Sequence, residues 1–113
     1  DQGEYQVAKE YLEEFMNSGY SVDILTSGAV IMISDILSQS NNYMGAIDII
    51  DDGIEKSNDH YIIQRLKVEK AKLFIKSGEN PIGLGLLDQL KQSEDISASL
   101  KSDIEEIIGT YGI

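Results

Sequence analysis

The sequence predicts an all-α chain of about six helices, paired into antiparallel hairpins. Three observations carry that expectation. Apolar residues recur at helical spacing along nearly the whole chain. Glycine, asparagine and serine gather at a few short places, 17–21, 40–42, 57–58 and 77–80, and the one proline is Pro81. The residue pattern also returns after 37 or 38 positions, the mark of a repeated structural unit.

Taken in order, the first helix is expected over about 4–17, where Tyr5, Ala8, Leu12 and Phe15 share a face. The second is expected over 21–39. It holds the longest apolar run, GAVIMI at 28–33, whose β-branched residues would also suit a strand. The run continues into SDILSQ with Ile33, Ile36 and Leu37 at helical spacing, so a buried helix is the better reading. The third, over 43–56, has Tyr43, Ala46, Ile50 and Ile54 on one face. The fourth, over 59–77, is apolar on two opposite sides: Ile62, Leu66 and Leu73 on one, Val68, Ala71 and Ile75 on the other. A helix of that kind is sandwiched between neighbours. Helices over 81–92 and 97–109 complete the set, and the short connections favour antiparallel hairpins.

Composition narrows the function. A chain of 113 residues with 42% hydrophobic and 26% charged residues fits one globular domain, whose core needs no metal or disulfide staple. Without cysteine there is no disulfide framework, thiolate metal site or cysteine nucleophile. A net charge of −11 repels phosphate backbones and anionic membrane surfaces, and no apolar run is long enough to span a bilayer. The chain starts at Asp1, so it reads as a fragment of a longer protein. No motif implies a cofactor.

The stretch DIIDDGIEKSND, residues 48–59, invites comparison with a calcium loop. Such a loop needs oxygen ligands at alternate positions around a central glycine. With Gly53 in that role, Ile50 and Lys56 fall at ligand positions, and Asp59 is too short for the usual bidentate glutamate. As a helix the same residues sort cleanly: Asp48, Asp51, Asp52 and Glu55 on a solvated face, with Ala46, Ile47, Ile50 and Ile54 opposite.

A shift of 38 places Tyr5 on Tyr43, Ala8 on Ala46 and Leu12 on Ile50, and the acids Glu10, Glu13 and Glu14 on Asp48, Asp51 and Asp52. A shift of 37 carries Ser34 and Leu37 to Ala71 and Phe74, Ala46 to Gly83, and Ile50 to Leu87. A hairpin unit of this length, with one small residue twelve positions before another, resembles the tetratricopeptide repeat family. The matching residues are Ser34, Leu37, Ala46, Ile50 and Gly53, then Ala71, Phe74, Gly83, Leu87 and Leu90. The run LKVEKAKLFIKSGENPIGLGLLDQL is also similar to the soluble part of bacterial membrane-anchored proteins that assist the Sec translocon. The period exceeds the family's usual one, closing prolines and tryptophan are absent, and Lys70 stands where a small or apolar residue is usual.

The resemblance implies a right-handed superhelical array whose first helices line a concave groove, acting as a protein-protein interaction module or scaffold. A ligand- or peptide-sensing regulatory domain is the alternative it leaves open. The compartment stays open: the cytoplasm is favoured, and the translocon-like similarity implies the periplasm instead. Five of the nine bases lie in 59–77, and Arg65, Lys72 and Lys76 share the face that the family's repeat turns toward the groove. Lys72 and Lys76 look like the basic pair with which related domains hold a peptide carboxylate, so an acidic segment or a C-terminus is the expected partner. Asp35 and Gln39 occupy the equivalent places one unit earlier and do not complete a clamp. A solvated stripe balancing acids such as Glu69 is the plainer reading of the same residues, as solubility is for the acidic faces.

His60 lacks a Ser or Asp partner at a telling spacing and reads as a surface or capping residue. GENPIGLGLL lacks a following GK[ST] and reads as a helix junction with tight packing. Tyr5, Tyr11, Tyr43 and Tyr61 are expected in the core. Acids on a solvated face lack the enclosed environment that paired acid-base catalysis requires, so no enzyme is expected. An array open at both ends would favour self-association through its terminal helices.

Overall fold

The computed structural model describes residues 24–112, together with Gln6, Val7, Glu10 and Glu14. The described chain is all-helical: α1 Ile24–Gln39, α2 Tyr43–Lys56, α3 His60–Lys76, α4 Asn80–Lys91 and α5 Ala98–Tyr111, with no strand among the described residues. GAVIMI thus lies within α1, and the acidic stretch 48–56 within α2. Of the helix expected over 4–17, the four described residues are helical, and Gln6 Nε2 donates to Glu10 Oε1 at 3.2 Å. The rest of that helix, with Tyr5, Tyr11 and Glu13, lies outside the described residues.

Local chemistry sets the helix ends. Asn42, Asp59 and Ser97 cap α2, α3 and α5, their side-chain oxygens accepting from the backbone N–H of Gly45, Ile62 and Leu100 at 3.0 to 3.1 Å. Each satisfies an amide that the first turn leaves without a partner, worth about 1 kcal/mol. Pro81 stands in the first turn of α4, where its missing N–H costs nothing. α1 and α3 end alike, in the turn in which a left-handed residue lets two amides fold back onto the helix. Asn41 (φ 63) and Gly78 (φ 94) are the left-handed residues, 37 positions apart. In the first turn Asn42 N donates to Leu37 O at 2.9 Å, and in the second Glu79 N donates to Phe74 O at 2.8 Å.

Packing follows chain order. Each helix lies against the next, and contacts also join α1 to α3 and α3 to α5. The core divides into two clusters with α3 between them. Ile62, Leu66 and Leu73 pack with Val30, Ile33, Ala46 and Ile50 of α1 and α2. Val68, Ala71 and Ile75 pack with Leu87, Leu100 and Ile104 of α4 and α5. The two-sided apolar pattern of α3 is therefore used on both sides. Leu66 and Leu87 are fully buried, and each such side chain contributes roughly 1.5–3 kcal/mol.

The small residues singled out by the repeat sit at close approaches. Ser34, Ala46, Ala71 and Gly83 are buried. Gly53 lies against Val30 and Leu66, where a Cβ would stand 3.3 and 3.1 Å from their methyl carbons. Ser34 is neutralised within its own helix, its hydroxyl donating to Ile31 O at 2.7 Å. Tyr61 departs from expectation: it is 45% exposed, while Tyr43 is half-buried against the first cluster. Ile62 and Leu66 take the inward positions of α3, which turns the neighbouring Tyr61 about 100° away.

Candidate functional site

The five bases of α3 divide between two open clefts on different sides of that helix. Lys67 and Lys70 face a cleft of about 380 Å³ bounded by α2 and α4, with Ile54 and Leu86 among its apolar lining. Here Lys70 Nζ pairs with Asp51 Oδ1 at 2.8 Å. That contact accounts for a lysine at a position where the resemblance leads one to expect a small or apolar residue. Its long stem crosses apolar surface and its ammonium ends on the acidic face of α2.

Arg65, Lys72 and Lys76 are brought together along the other cleft, of about 410 Å³, between α3 and α5. Its floor is apolar, with Val68 and Ile75 from α3 and Leu100 and Ile107 from α5. The spacing of seven and four along one helix is what aligns the three bases. Asp35 and Gln39, on α1, do not line this cleft: Asp35 is half-buried and Gln39 exposed.

The charge balance of the cleft differs from that of a purely basic groove. Glu69 lies in the same wall, and its carboxylate accepts from Lys72 Nζ at 3.2 Å. Asp103 and Glu106 of α5 line the facing wall. Among the described residues, Arg65, Lys76, Asp103 and Glu106 have no ion-pair partner. Neither Asp103 nor Glu106 was suggested by the sequence, since nothing in the pattern of α5 tells which of its exposed faces meets α3.

Asp95, in the α4–α5 connection, is a second contribution that sequence spacing could not supply. Its carboxylate accepts from Gln64 Nε2 at 3.2 Å and also pairs with His60 Nε2. Gln64 is buried, so this bond satisfies an amide otherwise hidden from water. His60 is thus a surface residue that ties the start of α3 to the loop before α5, while Asp59 provides the cap.

On α2, Asp48, Asp52 and Glu55 are exposed and Asp51 half-buried, as a solvated stripe requires. Partial burial, followed by the like charges of Glu55 and Asp48, raises the Asp52 carboxyl above its ordinary value, while Lys56 opposes the rise. No group of three or more His, Asp or Glu side chains among the described residues is placed to hold a metal ion. No helix among them is long and apolar enough to cross a membrane. Comparison with family models, curated proteins and solved structures returns no match.

Proposed function

We propose that the chain is a binding module built as a right-handed, tetratricopeptide-like array of antiparallel hairpins, and that the α3–α5 cleft receives a peptide segment of a partner protein. The observation that carries this reading is the pair of cations, Arg65 and Lys76, without an ion-pair partner among the described residues and set above the apolar floor of Val68, Ile75 and Ile107. Such a cleft can seat an apolar side chain and hold a carboxylate beside it by charge-assisted hydrogen bonds.

Support for the array comes from contacts along the chain. Gly53, near the end of α2, lies against Val30, in the first half of α1; Gly83, near the start of α4, lies against Ala71 and Ile75, toward the end of α3. Both fit antiparallel hairpins. The left-handed turns at Asn41 and Gly78 and the buried small pairs Ser34/Ala46 and Ala71/Gly83 recur at one period. The described helices touch only their first and second neighbours among themselves, which fits a solenoid, in which each unit meets only the adjacent ones. The cleft volume of about 410 Å³ also falls within the range of small-molecule sites. That favours, as a second reading, a sensor of a short peptide or other small ligand.

The test is a nuclear magnetic resonance titration of the labelled chain with short peptides carrying a carboxylate beside a leucine. Shifts confined to residues of the α3–α5 cleft, and lost in Arg65→Glu with Lys76→Glu, are expected. Asp35→Ala should leave them unchanged. Undiminished binding in the double variant, or shifts centred on α1, would rule the reading out.

A further inference from the structure

The two walls of the α3–α5 cleft carry opposite charge, and that arrangement specifies more about the occupant than the bases alone. Glu69 engages Lys72, which leaves Arg65 and Lys76 as the charges of the α3 wall without an ion pair among the described residues. The α5 wall answers with two acids, Asp103 and Glu106, likewise unpaired among the described residues. The charges share one cleft yet no ion pair within 4 Å joins them, and all four are exposed, so each is hydrated by solvent water when the cleft is empty.

Any occupant that displaces this water must replace the hydration of both walls, because a charge taken from water without a partner is costly. A purely acidic peptide would satisfy Arg65 and Lys76 while pressing its carboxylates toward Asp103 and Glu106. The chain's net charge of −11 adds to that repulsion. A purely basic peptide fails on the α3 wall for the same reason. Resting on the proposed binding role of this cleft, we infer that its occupant is a peptide segment of mixed charge. It presents carboxylates to Arg65 and Lys76, a cationic side chain to Asp103 and Glu106, and an apolar side chain to the floor between them.

Geometry sets the length of that segment. Arg65 and Lys76 are eleven residues apart on one helix, so their Cα atoms are separated by about 16 Å along the axis. An extended peptide covers that distance in roughly five residues. Asp103 and Glu106 lie within one turn of α5, a span of about 4.5 Å that suits a single Arg or Lys. The recognition unit is therefore short: acids at the two ends, with a base and a large apolar residue inside.

Three synthetic peptides sharing a central leucine provide the test: one flanked by acids only, one by bases only, and one with acids at its ends and an arginine beside the leucine. Binding is read by fluorescence anisotropy at low and moderate salt. The mixed peptide is expected to bind at least about fivefold more tightly than either other, with the advantage shrinking as salt rises. Asp103→Lys with Glu106→Lys should transfer the preference to the acidic peptide, and the milder Asp103→Asn with Glu106→Gln should abolish the advantage. Asp103 and Glu106 are exposed, so these changes leave the core intact. If the acidic peptide binds best and the α5 variants leave the ranking unchanged, the inference fails while the site itself stands. If none of the three binds, the inference and the reading beneath it both fail. A preference for the basic peptide overturns the inference together with the carboxylate-holding role proposed for Arg65 and Lys76.

Discussion

Gly83 rests directly on the backbone of Ala71: a Cβ at Gly83 would lie 2.6 Å from the Ala71 carbonyl oxygen and 2.7 Å from Ile75 Cγ1. This contact sets how closely α3 and α4 approach, and α3 in turn forms one wall of the cleft.

The first prediction contrasts this glycine with its near neighbour. Gly83→Ala must push two helix backbones apart, and overpacking of that kind typically costs about 1–3 kcal/mol. Gly85 lies in the same helix with nothing within 4 Å of its position, so Gly85→Ala should stabilise the chain by about 0.5–1 kcal/mol through helix propensity. Urea unfolding of the two variants measures both. Equal effects would mean that the α3–α4 approach is looser than the contact indicates.

A second prediction concerns the tie between α3 and the α4–α5 connection. Asp95→Ala removes the acceptor for the buried Gln64 amide and should cost roughly 1–3 kcal/mol. Asp95→Asn keeps an oxygen that can accept from Gln64 and loses only the charged contact with the exposed His60, so its cost should be clearly smaller. If the two variants unfold at the same denaturant concentration, the Gln64 bond contributes nothing measurable.

The third prediction is a pH dependence centred on Asp52. Its carboxyl is raised above 3.8 in the folded chain, by partial burial first and then by Glu55 and Asp48. The folded state therefore holds this proton more tightly than the unfolded state, and the group's contribution becomes unfavourable as pH rises from below 3.8 through the raised value. Asp52→Asn removes that penalty. The variant should be more stable near neutral pH, by less than about 1 kcal/mol because solvent screens an exposed carboxylate. The gain should fade as pH drops below 3.8, which thermal unfolding at several pH values can follow. A gain independent of pH would point to helix propensity instead.

Among the described residues, the sequence by itself determined which segments are helical and which faces of α3 are apolar. Periodicity and end signals are local: Asp59, Pro81 and Gly78 act within a turn of where they stand, and the split of Ile62, Leu66 and Leu73 from Val68, Ala71 and Ile75 follows from 100° per residue alone. The same arithmetic aligned Arg65, Lys72 and Lys76. It could not say what stands across from them. Asp103, Glu106 and the link from Asp95 to Gln64, 31 residues away, depend on how α5 is rotated and set down on α3. Only tertiary structure decided that, because the rotation is fixed by the side chains of several helices packing at once, Leu100 and Ile104 against Val68 and Ala71 among them. A helix repeats its own pattern along its own axis, and which charges meet across a cleft is a property of the pair.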